Sequence, residues 1–147
     1  MIECHLINFI KNEFVPEQKY FNVWTNALNY KEDAEITIKI ISPEEMKNFN
    51  KLYKKIDKVS DTLAFPAENL IIKNKVILGD IAMCANKINS DSSLYNKKKL
   101  DRWAHLTIHS LLHLLGYDHC NNDERKKMED IETSLLKEFN IFNPYEI

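Results

Sequence analysis

Residues 105–120 read HLTIHSLLHLLGYDHC and hold four of the five histidines of a 147-residue chain. Trp103, Leu106, Ile108, Leu111, Leu112, Leu114 and Leu115 fall nearly all round a helical wheel, so the spacing predicts a helix buried on most sides. His105, His109 and His113 lie four apart, each step turning about 40° and rising about 6 Å, and so form one stripe on an otherwise apolar rod. The ordinary reading of a polar stripe is a solvated face or a set of satisfied core histidines. The chain has eighteen lysines and places almost none on this stripe, which favours metal binding.

Reach decides which histidines share an ion. His105 and His113 are about 12 Å apart along the axis, too far to converge on one centre, so a single adjacent pair should ligate. Gly116 can take the left-handed conformation that ends a helix, and the returning chain brings His119 toward the second turn. The expected triad is His109, His113 and His119, holding one Zn²⁺ per chain. His105 then supports the ion from one turn away, lines a cavity, or is a packed histidine. Three ligands leave an open position, the mark of a catalytic metal. Cys120 could close it, but adjacent residues in an extended turn point apart.

The spacing HxxxHxxGxxH matches the zincin-like helix of metzincin proteases, HExxHxxGxxH, with one chemical difference. Their general-base glutamate is replaced here by Ser110, which cannot take a proton from water near neutral pH. A substrate whose hydrolysis leans on metal charge, such as a phosphodiester, fits better than a peptide.

Outward from this helix, ECHLINFI and AEITIKIIS read as strands flanking the amphipathic helix VPEQKYFNVWTNALNY, a β-α-β opening. Ser42-Pro43-Glu44-Glu45 supplies a cap, a first-turn proline and early acids for a helix running from about residue 43 into the 50s. KKIDKVSDTLAFPAEN reads as an irregular loop closed by Pro66. NLIIK and KVILGDIAMC read as strands, the second central because it is apolar almost throughout. NKINSDSS is a polar connection, and DERKKMEDIETSLLKEFN a last amphipathic helix. The expected fold is α+β: a single domain over 1–147 with one small mixed sheet of about four strands packed against helices.

Composition sets outer limits. No apolar run reaches the roughly 18 residues of a membrane span, and MIECHLINFIKNEF lacks signal-peptide character, so a cytoplasmic location without membrane contact is expected. Cys4, Cys84 and Cys120 are an odd set without CxxC spacing, which fits reduced thiols. A net charge of −2 leaves no global basic field. Residues 47–58 nevertheless carry five lysines against one aspartate, a local patch that a polyanion could use or that solvent simply wets.

HSLLHLLGYDH resembles the HGxLHLxGYDH signature of the YbeY endoribonucleases. YKKIDKVSDTLAFP resembles their YRGxDxPTDVLSFP, VILGDIAMC their LGDI strand, and DERKKMEDIE the acidic helix after the histidines. These segments cover most of residues 47–139 in family order. The resemblance implies a metal-dependent endoribonuclease of single-stranded RNA, acting on the 3′ end of small-subunit rRNA and in ribosome quality control, with no DNA substrate. Ribosomal proteins or an assembly GTPase are the partners it implies. It puts the metal on His109, His113 and His119, and the family's RNA-acting arginine on Lys54, which keeps charge but loses the bidentate fork. Lys51, Lys55 and Lys58 could extend the RNA track. Ser110 stands where glycine is usual, Ala64 where serine is, and Val59 where proline is. Asp61 and Asp80 match family positions, yet acids beside turns and strand ends more often bond local backbone. Asp118 either orients a ligand imidazole or makes a turn. Two rival readings are a metallopeptidase with a base from elsewhere and a non-catalytic ribosome-assembly factor with a structural ion.

Overall fold

In the computed structural model, which describes residues 1–142, 144 and 145 and Asn69 by its backbone alone, the chain opens with strand β1 (Ile2–Asn8), helix α1 (Gln18–Asn26) and strand β2 (Ala34–Ile41). β1 and β2 pair in parallel, and α1 supplies the crossover that a parallel pair needs. Helix α2 (Pro43–Phe49) starts where expected, with the Ser42 hydroxyl accepting from Glu45 N at 3.1 Å. It continues as a single π-helical turn, Asn50–Lys54, closed by Lys55 at φ 56°.

Strands β3 (Thr62–Ile72) and β4 (Lys75–Cys84) form an antiparallel hairpin whose turn residues Lys73 and Asn74 both have positive φ, the primed geometry that hairpins favour. The sheet order is β1-β2-β4-β3, four strands with one antiparallel edge. Pro66 does not close a loop as its sequence context suggested; it lies within β3. An edge strand tolerates its missing N–H, and the register shifts between Pro66 and Leu70. Gly79 sits opposite Pro66 at φ 139°, where a Cβ would come within 2.3 Å of the Phe65 carbonyl oxygen.

The polar connection after β4 is also helical: α3 (Ala85–Leu94) turns Ala85, Ile88, Asn89 and Ser92 inward at helical spacing. Asn89 explains how polar residues line a core, since its Oδ1 accepts from Trp103 Nε1 at 2.8 Å and its Nδ2 donates to the Phe14 carbonyl at 2.9 Å. Helix α4 (Lys99–Leu114) is buried along most of its length, and α5 (Asn122–Lys137) packs beside it. One face of the sheet buries Ile36, Ile38, Ile40, Ile81 and Met83 against Phe21, Trp24, Trp103 and Leu111. Each such aliphatic or aromatic side chain contributes about 1.5–3 kcal/mol on burial. The other face holds a smaller cluster, Ile41, Leu63, Ala82 and Cys84 under Met46 of α2. No helix among the described residues is long and apolar enough to cross a membrane.

Candidate metal centre and cleft

Helix α4 delivers His105, His109 and His113 along one side, and its end is built to return the chain. Gly116 N donates to the His113 carbonyl and Tyr117 N to the Leu112 carbonyl, with Gly116 at φ 96°. The turn that follows carries His119. Asp118 shapes that turn, its carboxylate accepting from His119 N at 2.7 Å and from Cys120 Sγ at 2.9 Å. It does not touch a ring.

The hydrogen bonds of the two helical rings fix their tautomers. His113 Nδ1 lies 3.0 Å from the Tyr117 carbonyl, which can only accept, so the proton is on Nδ1 and Nε2 carries a lone pair. His109 Nδ1 lies 2.5 Å from Glu132 Oε1 and donates to that carboxylate, so in the neutral ring Nε2 carries the lone pair. The two Nε2 atoms face each other at 3.1 Å. Burial first, then the neighbouring His109, lowers the His113 pKa from its ordinary value. Two lone pairs aimed at one another repel unless a proton or a metal ion lies between them. Their separation is close to that of two nitrogens each about 2.0–2.1 Å from one zinc-sized ion. His119 completes the group, its ring stacked 6.0 Å from that of His109 and 5.0 Å from His113, with ligand atoms of all three within 4.8 Å of one another. The donor set fits a divalent metal.

A second cluster with ligand-like spacing is His105, His109 and Glu132. Here the protons are already used. Arg102 Nη1 donates to His105 Nδ1 at 3.3 Å, so His105 Nε2–H is the donor to Glu132 Oε2 at 2.9 Å. Glu132 is fully buried, accepts from both imidazoles and also receives the Tyr145 hydroxyl. Burial pushes its carboxyl up, but the bonds from His105 and His109 outweigh that and bring it down to about 2. His105 therefore sits behind the centre, orienting the carboxylate that orients His109. The third spatial group, Glu3, His5 and Glu35, is a largely exposed patch bridged by Lys75, 2.6 Å from Glu3 and 3.4 Å from Glu35.

A cleft of about 600 Å³ opens in front of His109, His113 and His119, and Lys54, Lys58 and Asp61 line it as well. The π turn and the loop behind it set the lysines: Asn50 Nδ2 donates to the Lys58 carbonyl at 2.9 Å and to Ser60 Oγ at 3.0 Å. Lys51 is not on the cleft; with Lys47 it faces Asp57, at 3.6 and 3.4 Å. Lys55, which caps the π turn, is not among the residues lining the cleft. Asp61 caps the start of β3 through Thr62 N at 2.8 Å and pairs with Arg102 at 3.1 Å. Cys120 is exposed and bonded to Asp118, outside the imidazole group.

The sequence matches the family model of Endoribonuclease YbeY over residues 8–140. The chain belongs to the YbeY endoribonuclease family. Similar relatives include the Endoribonuclease YbeY of Buchnera aphidicola subsp. Cinara cedri, 41% identical over 92% of this chain and 88% of that protein. That of Psychromonas ingrahamii is 36% identical over 89% and 87%. A solution structure from Thermotoga maritima, 20% identical, superposes over 100% of both chains with a TM-score of 0.58, a likeness of fold.

Within this YbeY fold, Glu132 and Arg102 are the site neighbours that pattern reading missed. A signal for Glu132 existed. Met128, Glu132 and Leu136 are four apart and all buried, so an acid interrupts the apolar stripe of α5. Nothing in the sequence says which imidazoles it meets.

Proposed function

We propose that this chain is a metal-dependent endoribonuclease that cuts single-stranded RNA in the histidine cleft. The observation that carries the reading is the pair of Nε2 atoms facing each other at 3.1 Å, with His119 beside them, in an open cleft lined by Lys54. Zinc suits three imidazoles. When bound, the ion supplies Lewis-acid charge against a phosphoryl oxygen. The protein's own groups do the rest: Glu132 and the Tyr117 carbonyl hold the two rings in one tautomer, and Lys54 and Lys58 bring ammonium charge to a polyanionic strand. Lys54 stands where the family motif has arginine, and it acts as a point charge rather than a bidentate clamp. RNA as substrate agrees with the endoribonuclease name of the relatives. The 3′ end of small-subunit rRNA is the proposed physiological target, in the cytoplasm, with ribosomal proteins or an assembly GTPase as partners.

Cleavage of an unstructured RNA by zinc-loaded protein tests this beside two folded variants. His113→Ala should abolish cutting, and Lys54→Ala should slow it about 100-fold with partial recovery in Lys54→Arg. Equal cutting by wild type and His113→Ala would discard the cleft as the site. Unchanged cutting by Lys54→Ala would discard the lysine's role.

A further inference from the structure

On the sheet face opposite α4, beyond the cover of α2, lies a groove of about 380 Å³ with Phe49, Tyr53 and Phe65 as its wall and Thr37, Lys39 and Asp80 beside them. Tyr53 and Phe49 each meet Phe65 edge to face, at 5.2 Å and 6.0 Å. Tyr53 still shows 59% of its surface to solvent, an expensive exposure for a ring with apolar neighbours at hand. The side chains of Lys39 and Asp80 are exposed and make no hydrogen bond or ion pair among the described residues.

The groove and the metal cleft share no lining residue, but neighbouring residues of the chain alternate between them. In β3, Ala64 and Pro66 line the cleft, and Phe65 between them lines the groove. In the π turn, Lys54 lines the cleft and Tyr53 the groove. β3 is an edge strand, so no further strand separates the two hollows. They lie on opposite sides of β3. A flexible polyanion held by its phosphate at the cleft can pass round that edge.

We propose that the groove binds an unpaired nucleobase of the same RNA strand whose phosphate occupies the histidine cleft, an inference that rests on the ribonuclease reading. The base stacks on Tyr53, which stays largely exposed while packing against Phe65 and Phe49. Asp80, an acceptor only, takes N–H donors from the base edge, and Lys39 meets the sugar-phosphate backbone. Tyr53 is thus a substrate-positioning residue, and the single-strand requirement follows, because a base paired in a duplex cannot leave its stack at low cost.

The test is a set of single-stranded RNA oligomers, each with one abasic nucleotide at a different offset from the cut, assayed for cleavage and for equilibrium binding by fluorescence anisotropy. Wild type should lose about tenfold in kcat/KM and in affinity at one offset, the size of one lost base–aromatic stack. Tyr53→Ala should show the same loss on intact RNA and indifference to the abasic nucleotide at that offset, while Tyr53→Phe behaves as wild type. Full cleavage and binding of intact RNA by folded Tyr53→Ala, or an undiminished abasic penalty in it, overturns the groove and leaves the ribonuclease reading standing. That outcome is also expected if the groove takes an apolar side chain of a protein partner. RNA neither bound nor cut by wild type removes both.

Discussion

His109 Nε2 lies 3.1 Å from His113 Nε2, and each ring has already given its Nδ1 proton to an oxygen on another part of the chain. The two acceptors differ in kind. Tyr117 lends a carbonyl from the turn that ends α4, whereas Glu132 reaches in from α5 as a buried carboxylate. Groups elsewhere in the chain therefore hold both rings in place.

Glu132→Gln should weaken metal binding by about 10–100-fold, because an amide can present N–H as readily as oxygen and no longer fixes the His109 tautomer. Calorimetric titration of the metal-free variant with zinc checks this. Affinity equal to wild type would show that the carboxylate does not orient the ring.

The same carboxylate should make the folding of the metal-free protein acid-sensitive. Its pKa is about 2 in the folded chain against an ordinary 4.5, so the stabilisation is fully present above about pH 4.5 and is lost as pH falls through about 2. Urea denaturation across that window should show wild type losing on the order of 2–3 kcal/mol more than Glu132→Gln. Parallel curves for the two proteins would contradict the assignment.

Ser110→Ala should stabilise the protein by about 1 kcal/mol. Ser110 Oγ is the one side-chain polar atom among the described residues that is buried without a hydrogen-bond partner, so its hydroxyl costs desolvation and returns nothing. Thermal unfolding decides; a lower melting temperature in the variant would mean that the hydroxyl has a partner worth keeping.

Much of this site was legible along one strand of sequence. His109, His113 and the return at Gly116 follow from helical geometry, and His119 from the turn. Glu132 and Arg102 were not, because their roles are set by contacts with partners 23 to 41 residues away in sequence. The same reason hid α3 and the first half of β3. Asn89 looks like a loop residue until Trp103 and the Phe14 carbonyl satisfy it, and Pro66 looks like a strand breaker until β3 proves to be an edge. The four-strand sheet with β4 inside it was readable from apolar runs alone.

Cys120 should be the single thiol that reacts with an alkylating reagent in the native protein, since Cys4 and Cys84 are buried. Zinc loading should leave its reactivity unchanged. Protection of Cys120 by zinc, read by mass spectrometry, would make it a fourth ligand and the centre a closed structural one.

The most direct measurement is X-ray absorption at the zinc edge of the protein loaded with one equivalent of metal. Three imidazole nitrogens at about 2.0–2.1 Å, with no sulfur, is the predicted first shell, and His119→Ala should remove one of the three. A sulfur at about 2.3 Å, or a shell that His119→Ala leaves intact, would contradict an open three-histidine centre.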